Sequence, residues 1–209
     1  MWLSGLVAMR KSLLLILCLF FGLLKLAGAL EKAPGSSGAS ELQTPPGVRV
    51  AIIVFEDLQC GACASAYRDL EKAAQSYHIP LVHVEYPLPA HPWAQQAAIL
   101  ARFFDSRSAV LGRQFREFIF SEQSRIGTNS LRSFAERFAA AHNIQLPFVL
   151  DPEKRFEQAV QKDVALGQKM GVQQTPAVFV VQRGGKAPIE VNDEQALEKL
   201  LSKLKKGRN

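Results

Sequence analysis

Two cysteines, Cys60 and Cys63, stand two residues apart in the segment Phe55-Glu56-Asp57-Leu58-Gln59-Cys60-Gly61-Ala62-Cys63. That spacing lets both sulfurs share one helical turn, close enough to bond. At a helix N-terminus, unpaired backbone N–H groups and the helix dipole stabilise an anion, so Cys60 is placed to be a thiolate near neutral pH. The thiolate is the attacking species; it would form a mixed disulfide that Cys63 then releases. The competing chemistry is metal ligation, but zinc usually wants four ligands from paired motifs. No second cysteine pair exists, and His78, His83, His91 and His142 show no ligand spacing. Redox chemistry is the preferred reading, with no metal site and no cofactor beyond the two sulfurs. Copper(I) held by the same two soft ligands is the alternative of a different class.

The rest of the chain bears on where this pair would work. Arg10 and Lys11 precede an apolar run from Leu13 to Leu24, followed by Lys25 and Ala27-Gly28-Ala29. This pattern predicts a secretory signal over 1–29, cleaved after Ala29. An uncleaved anchor is the competing reading; Lys25 interrupts the run short of the roughly 20 residues a spanning helix wants. Either outcome puts the body of the chain outside the cytoplasm. Of the three cysteines, Cys18 would leave with the signal, as would Arg10, Lys11 and Lys25, so the formal net charge of +6 falls to +3. In an oxidising compartment a structural disulfide normally ties distant segments, and one closing so short a loop constrains little, which points to chemistry. The remaining basic cluster (Lys199, Lys203, Lys205, Lys206, Arg208) reads as a solvated helix face, and nucleic acid is rejected as a partner.

The elements that must position the cysteines are legible in the hydrophobic periods. Residues 30–46 read as a flexible linker without core-forming residues. Val48–Phe55 is a β-branched run expected as a buried strand, and Ala66, Leu70, Ala73, Ala74 and Tyr77 recur at helical spacing until Pro80. Leu81–Tyr86 reads as a second strand, which makes a β-α-β unit with the cysteines at its first junction. Three Phe-rich helices follow, the first starting at His91-Pro92 and the third capped by Thr128 or Asn129. Asp151-Pro152 opens a fourth that ends near Met170, where Gly171 suits a C-cap. Ala177–Gln182, a turn at 183–186 and Ala187–Val191 form a hairpin, and Asn192 or Asp193 caps a last helix. The outline is an α/β chain: halves at 47–89 and 162–209, with an all-helical insertion at 90–161.

From about residue 48 to 204 the chain resembles the DsbA-like thiol:disulfide oxidoreductases of the thioredoxin superfamily. The marks are the strand-Phe-Glu-Asp-Leu-Gln-CGAC junction, Tyr86-Pro87-Leu88, His91-Pro92-Trp93-Ala94, and Met170-Gly171-Val172-Gln173-Gln174-Thr175-Pro176. The resemblance implies a thioredoxin fold with an all-helical insertion domain, and Pro176 as a cis-proline lying against the active-site disulfide. It implies that Thr175, with Gly61 and Ala62, receives an extended segment of a protein substrate by strand addition. It also implies an oxidase in the periplasm or another extracytoplasmic space, fed by a membrane redox partner, with a reductase as the runner-up. Replacing Pro176 by alanine would then trap mixed disulfides or slow turnover. Two features depart from the pattern. Gly61-Ala62 is neither the Pro-His of strong oxidants nor the Gly-Pro of thioredoxins, and Gln174 stands where glycine is common. Glu56 is a candidate general acid–base beside the disulfide; for Glu56 and Asp57 alike the alternative is a solvated turn.

Overall fold

The computed structural model describes residues 41–184 and 187–206. The expected signal segment, Cys18 and most of the expected linker lie outside the described residues. At the linker's end Leu42 is buried against Val84, Val172 and Phe179, so the reading of 30–46 as free of core residues fails there.

Strand β1 (Val50–Glu56) is central in a four-stranded sheet of order β2-β1-β3-β4. It runs parallel to β2 (Leu81–Glu85) and antiparallel to β3 (Ala177–Gln182), which pairs in turn with β4 (Ile189–Val191). Because side chains alternate along a strand, the run 51–55 serves both faces. Ile52 and Val54 pack against Leu70, Ala73 and Ala74 of helix α1 (Gly61–Tyr77) and against Leu197 and Leu201 of α6 (Glu194–Lys206). Ala51, Ile53 and Phe55 face the other way, towards Leu166 and Met170 of α5 (Arg155–Met170). The sheet is thus sandwiched between helices, the thioredoxin arrangement that the sequence resemblance implies.

Helices α2 (Ala94–Asp105), α3 (Ala109–Glu122) and α4 (Leu131–Ala141) form the insertion around Phe104, Phe115, Phe134 and Phe138. The rings of Phe104 and Phe138 meet edge to face at 5.0 Å, a favoured aromatic geometry. Leu58, Cys60, Cys63 and Tyr67 belong to this same cluster, so the insertion's core reaches the reactive junction. The 161/162 division falls inside α5, whose Phe156 packs on the helical cluster while Leu166 and Met170 pack under the sheet.

Element ends differ from expectation for identifiable reasons. Helix α2 starts at Ala94 because His91 Nδ1 is engaged by Asp57 and the Trp93 N–H donates to Gln59 Oε1 at 2.8 Å. Neither Thr128 nor Asn129 caps α4; Ser130 precedes it, and its hydroxyl accepts from the Gly127 N–H at 2.9 Å. Asp151 and Pro152 precede α5, and the Asp151 carboxylate accepts from the Glu157 N–H at 2.8 Å. Gly171 ends that helix in the left-handed region, at φ +79°, where the missing Cβ removes the steric penalty. Strand β4 is short of Ala187–Val191, since Pro188 has no N–H for a ladder. Asp193 caps α6 through a 2.7 Å bond from the Ala196 N–H. Lys199, Lys203, Lys205 and Lys206 lie exposed along that helix, as a solvated face should.

Candidate functional site: a dithiol at a helix N-terminus

The end of β1 delivers the chain into a tight turn that is held from several sides. The Cys60 N–H donates to Asp57 O at 2.9 Å, and Cys60 stands at the N-cap of α1 in extended conformation (φ −78°, ψ 121°). A thiol makes no side-chain cap bond here, so the first-turn N–H groups stay available to a sulfur anion. Both cysteines are free thiols and both are largely buried, Cys60 at 9% exposure and Cys63 at 3%. The Cys60 thiol donates to Thr175 O at 3.3 Å, and the Thr175–Pro176 bond is cis. Cys60, Cys63 and Thr175 are therefore in one place. Ala62 and Pro176 open together onto a cavity of about 750 Å³ that runs to Val191 and Leu197. Gly61 is exposed on the same turn.

The two thiols are made unequal. Hydrogen bonding from the Cys63 thiol, reinforced by the N–H groups of Cys63 and Ala62, outweighs burial and lowers Cys60 from 9.0 to about 5. The same shared bond, with burial, pushes Cys63 far above its ordinary value. The asymmetry arises without a cation between the cysteines, from the neighbouring thiol, the Thr175 side chain and backbone N–H groups.

Glu56 and Asp57 diverge, as successive residues leaving a strand must. Asp57 is not in a solvated turn; it is 1% exposed. Its carboxylate accepts from the N–H groups of Gln59 and Leu88 and pairs with His91 Nδ1, each at 2.7 Å. Its own N–H donates to Cys63 Sγ at 3.4 Å. Glu56 points to the other side, and neither the solvated reading nor a bond to a sulfur describes it. Its Oε1 meets His83 Nδ1 at 2.9 Å and Arg116 Nε at 3.0 Å. Arg116 also donates to both oxygens of Asp105 at 2.8 Å and to Glu85. Burial would raise Glu56, but His83 and Arg116 hold it below the usual carboxylate range. Burial likewise opposes His83, yet Glu56 and Glu71 carry it up to about 9. Glu85, penalised by burial, rises to about 7.

Sequence reasoning missed Arg116 and the two glutamines that touch the reactive turn, Gln59 and Gln123. Arg116 and Gln123 belong to no motif, and Gln59, although inside the junction segment, has a side chain whose partner lies far off in sequence. Arg116 occupies a position on α3 between Phe115 and Ile119, and an isolated arginine in a helix reads as solvent-facing. Among the described residues no group of three or more His, Cys, Asp or Glu is arranged to hold a metal ion. None of the described helices is long and apolar enough to cross a membrane.

A thioredoxin-type sheet, a helical insertion and a reduced CxxC pair facing a cis-proline define the class of thiol:disulfide oxidoreductases. The thioredoxin family model matches residues 46–203, and the chain belongs to that family. Three solved structures show the same DsbA-like fold. Wolbachia pipientis alpha-DsbA1 is 16% identical, with 80% of this chain and 93% of that one covered and a TM-score of 0.63. BdbD from Bacillus subtilis is 18% identical over 81% and 94%, with a TM-score of 0.62. Proteus mirabilis ScsC is 15% identical over 96% and 94%, at 0.60. No curated protein matches the sequence.

Proposed function

We propose that the protein is an exported oxidase that donates a Cys60–Cys63 disulfide to the thiols of protein substrates. The supporting observation is the inequality of the two thiols, with Cys60 lowered to about 5 and Cys63 raised. In the oxidised protein a substrate thiolate attacks Cys60 Sγ. The substrate–Cys60 bond forms as the Cys60–Cys63 bond breaks, and Cys63 leaves as a thiolate that takes a proton. A second substrate thiolate then attacks the substrate sulfur and expels Cys60 as a stable thiolate. The substrate has lost two electrons and gained a disulfide; the protein holds the dithiol. A low leaving-group pKa speeds the last step, while a protonated Cys63 is slow to attack backwards. Both effects favour donation over reduction.

Thr175 and Pro176, with Gly61 and Ala62, form the substrate side of this reading. An extended segment would pair with the backbone at Thr175 and run into the adjoining cavity, which would read main chain more than side chains. A membrane redox partner reoxidises the dithiol, and the 1–29 leader supplies export. Glu56 has no part in the proton traffic of this scheme, being bound to His83 and Arg116.

The test is to mix the oxidised protein at equal concentration with a reduced, unfolded protein carrying several cysteines, and to count thiols on both. Transfer of the disulfide to the substrate, abolished in Cys60→Ser, is the expected result. A protein that instead stays oxidised, and in its dithiol form reduces substrate disulfides, is a reductase.

A further inference from the structure

Gln123 opens the short 3₁₀ turn (Gln123–Arg125) that follows α3, sixty residues from the cysteines in sequence. Its side chain nevertheless lies across the reactive turn. Gln123 Nε2 donates to Leu58 O at 2.9 Å and to Cys60 O at 3.1 Å. Both partners are carbonyl oxygens, which fixes the amide with its NH₂ end on the turn. The other end, Oε1, is 4.0 Å from where a Cβ on Gly61 would stand. Leu58 O has no other hydrogen-bond donor among the described residues, whereas Cys60 O also accepts from the Ala64 N–H at 3.1 Å.

We infer that Gln123 is a positioning residue for the dithiol: its two hydrogen bonds to the Leu58 and Cys60 carbonyls hold the turn so that Cys60 is stabilised as a thiolate. Carbonyl oxygens are the negative ends of peptide dipoles, and two of them flank the sulfur in sequence. An N–H donor shared between them offsets part of that negative potential. It also fixes the direction in which Cys60 enters α1, and with it the aim of the Ala62 and Cys63 N–H groups at Sγ. The insertion thereby acts on the chemistry directly: Trp93 at the start of α2 takes Gln59, and Gln123 at the end of α3 takes the carbonyls on either side. This inference rests on Cys60 being the attacking thiol, but it concerns thiolate formation and is read without any substrate.

The test is the pH titration of thiolate ultraviolet absorbance in the reduced full chain, with the thermal midpoint measured alongside. Gln123→Met keeps side-chain length and removes the donor; the Cys60 midpoint should rise by about half a unit to one unit, the worth of a net hydrogen bond. Gln123→Glu puts an acceptor and a charge against two carbonyls and should raise it further. Gln123→Lys restores a donor and should leave the midpoint at or below that of the unsubstituted protein. An unchanged midpoint in Gln123→Met overturns the inference. So does an equal shift in all three variants, which would be a packing effect, or loss of the fold in all three, which would make Gln123 purely structural. Absence of a low Cys60 midpoint in the unsubstituted protein would instead count against the functional reading.

Discussion

Glu56 and Asp57 are neighbours, yet they serve regions built on opposite principles. On Asp57's side the sulfurs are met by backbone groups and neutral side chains, and no charged side chain bonds either sulfur among the described residues. On Glu56's side a fully buried arginine is bound by three carboxylates, with His83 completing the group. The packing is close enough that a Cβ at Gly112 would run into the Asp105 carboxylate. The first region leaves a charge free to appear and disappear during reaction. The second fixes charges permanently and ties α3 to β1 and β2. Adjacent acidic residues in a sequence therefore say little about shared chemistry when a strand end separates their faces.

The sharpest way to break this contrast is to remove one centre at a time. Cys60→Ser should abolish disulfide transfer while leaving the urea midpoint of the dithiol protein nearly unchanged at pH 4, where the thiolate contribution has been lost. Arg116→Met should do the reverse. Stranding buried Glu56 and Glu85, with half-buried Asp105 beside them, costs about 3–5 kcal/mol, visible in urea unfolding, while the pH at which Cys60 alkylates half-maximally stays near 5. A large shift of that midpoint would mean the two regions are coupled.

Glu56→Gln is gentler. Weakening its bonds to His83 and Arg116 should cost about 1–3 kcal/mol, with no change in the pH profile of exchange; a shifted profile would return Glu56 to the sulfurs. The linked histidine supplies a pH signature. His83 is raised from 6.5 to about 9, so its stabilising contribution is complete below 6.5 and is lost as pH rises through about 9. The dithiol behaves oppositely. Cys60 is lowered from 9.0 to about 5, so its contribution to the reduced protein is complete above 9 and is lost as pH falls through about 5. Unfolding of the reduced protein from pH 4 to 10, with Cys60→Ser and His83→Gln for comparison, should separate the two slopes.

Much of this could be read before the fold was known. The strands, the Phe-rich helices and the CxxC junction announce themselves through period and spacing, because burial on one face imposes a pattern. Thr175-Pro176 was legible only through family resemblance, since a proline ahead of a strand is ordinarily just a loop end. The charge cluster and the glutamine contacts were not legible. Arg116, His83 and Gln123 are single polar residues whose partners lie 11 to 65 positions away, and no local pattern encodes such meetings. Leu42 escaped for a similar reason, as one apolar residue in a Gly-, Ser- and Pro-rich stretch.

The central claim is that thiolate stabilisation makes Cys60–Cys63 a disulfide donor. A Cys60 pKa of about 5 lies between values of about 7 for thioredoxin and about 3.5 for DsbA. Two units of added thiolate stability over thioredoxin correspond to roughly 60 mV. The direct measurement is equilibration of the purified protein with glutathione buffers, following the Cys60–Cys63 couple. A potential between about −220 and −120 mV is the predicted result, and one near or below about −270 mV would contradict it.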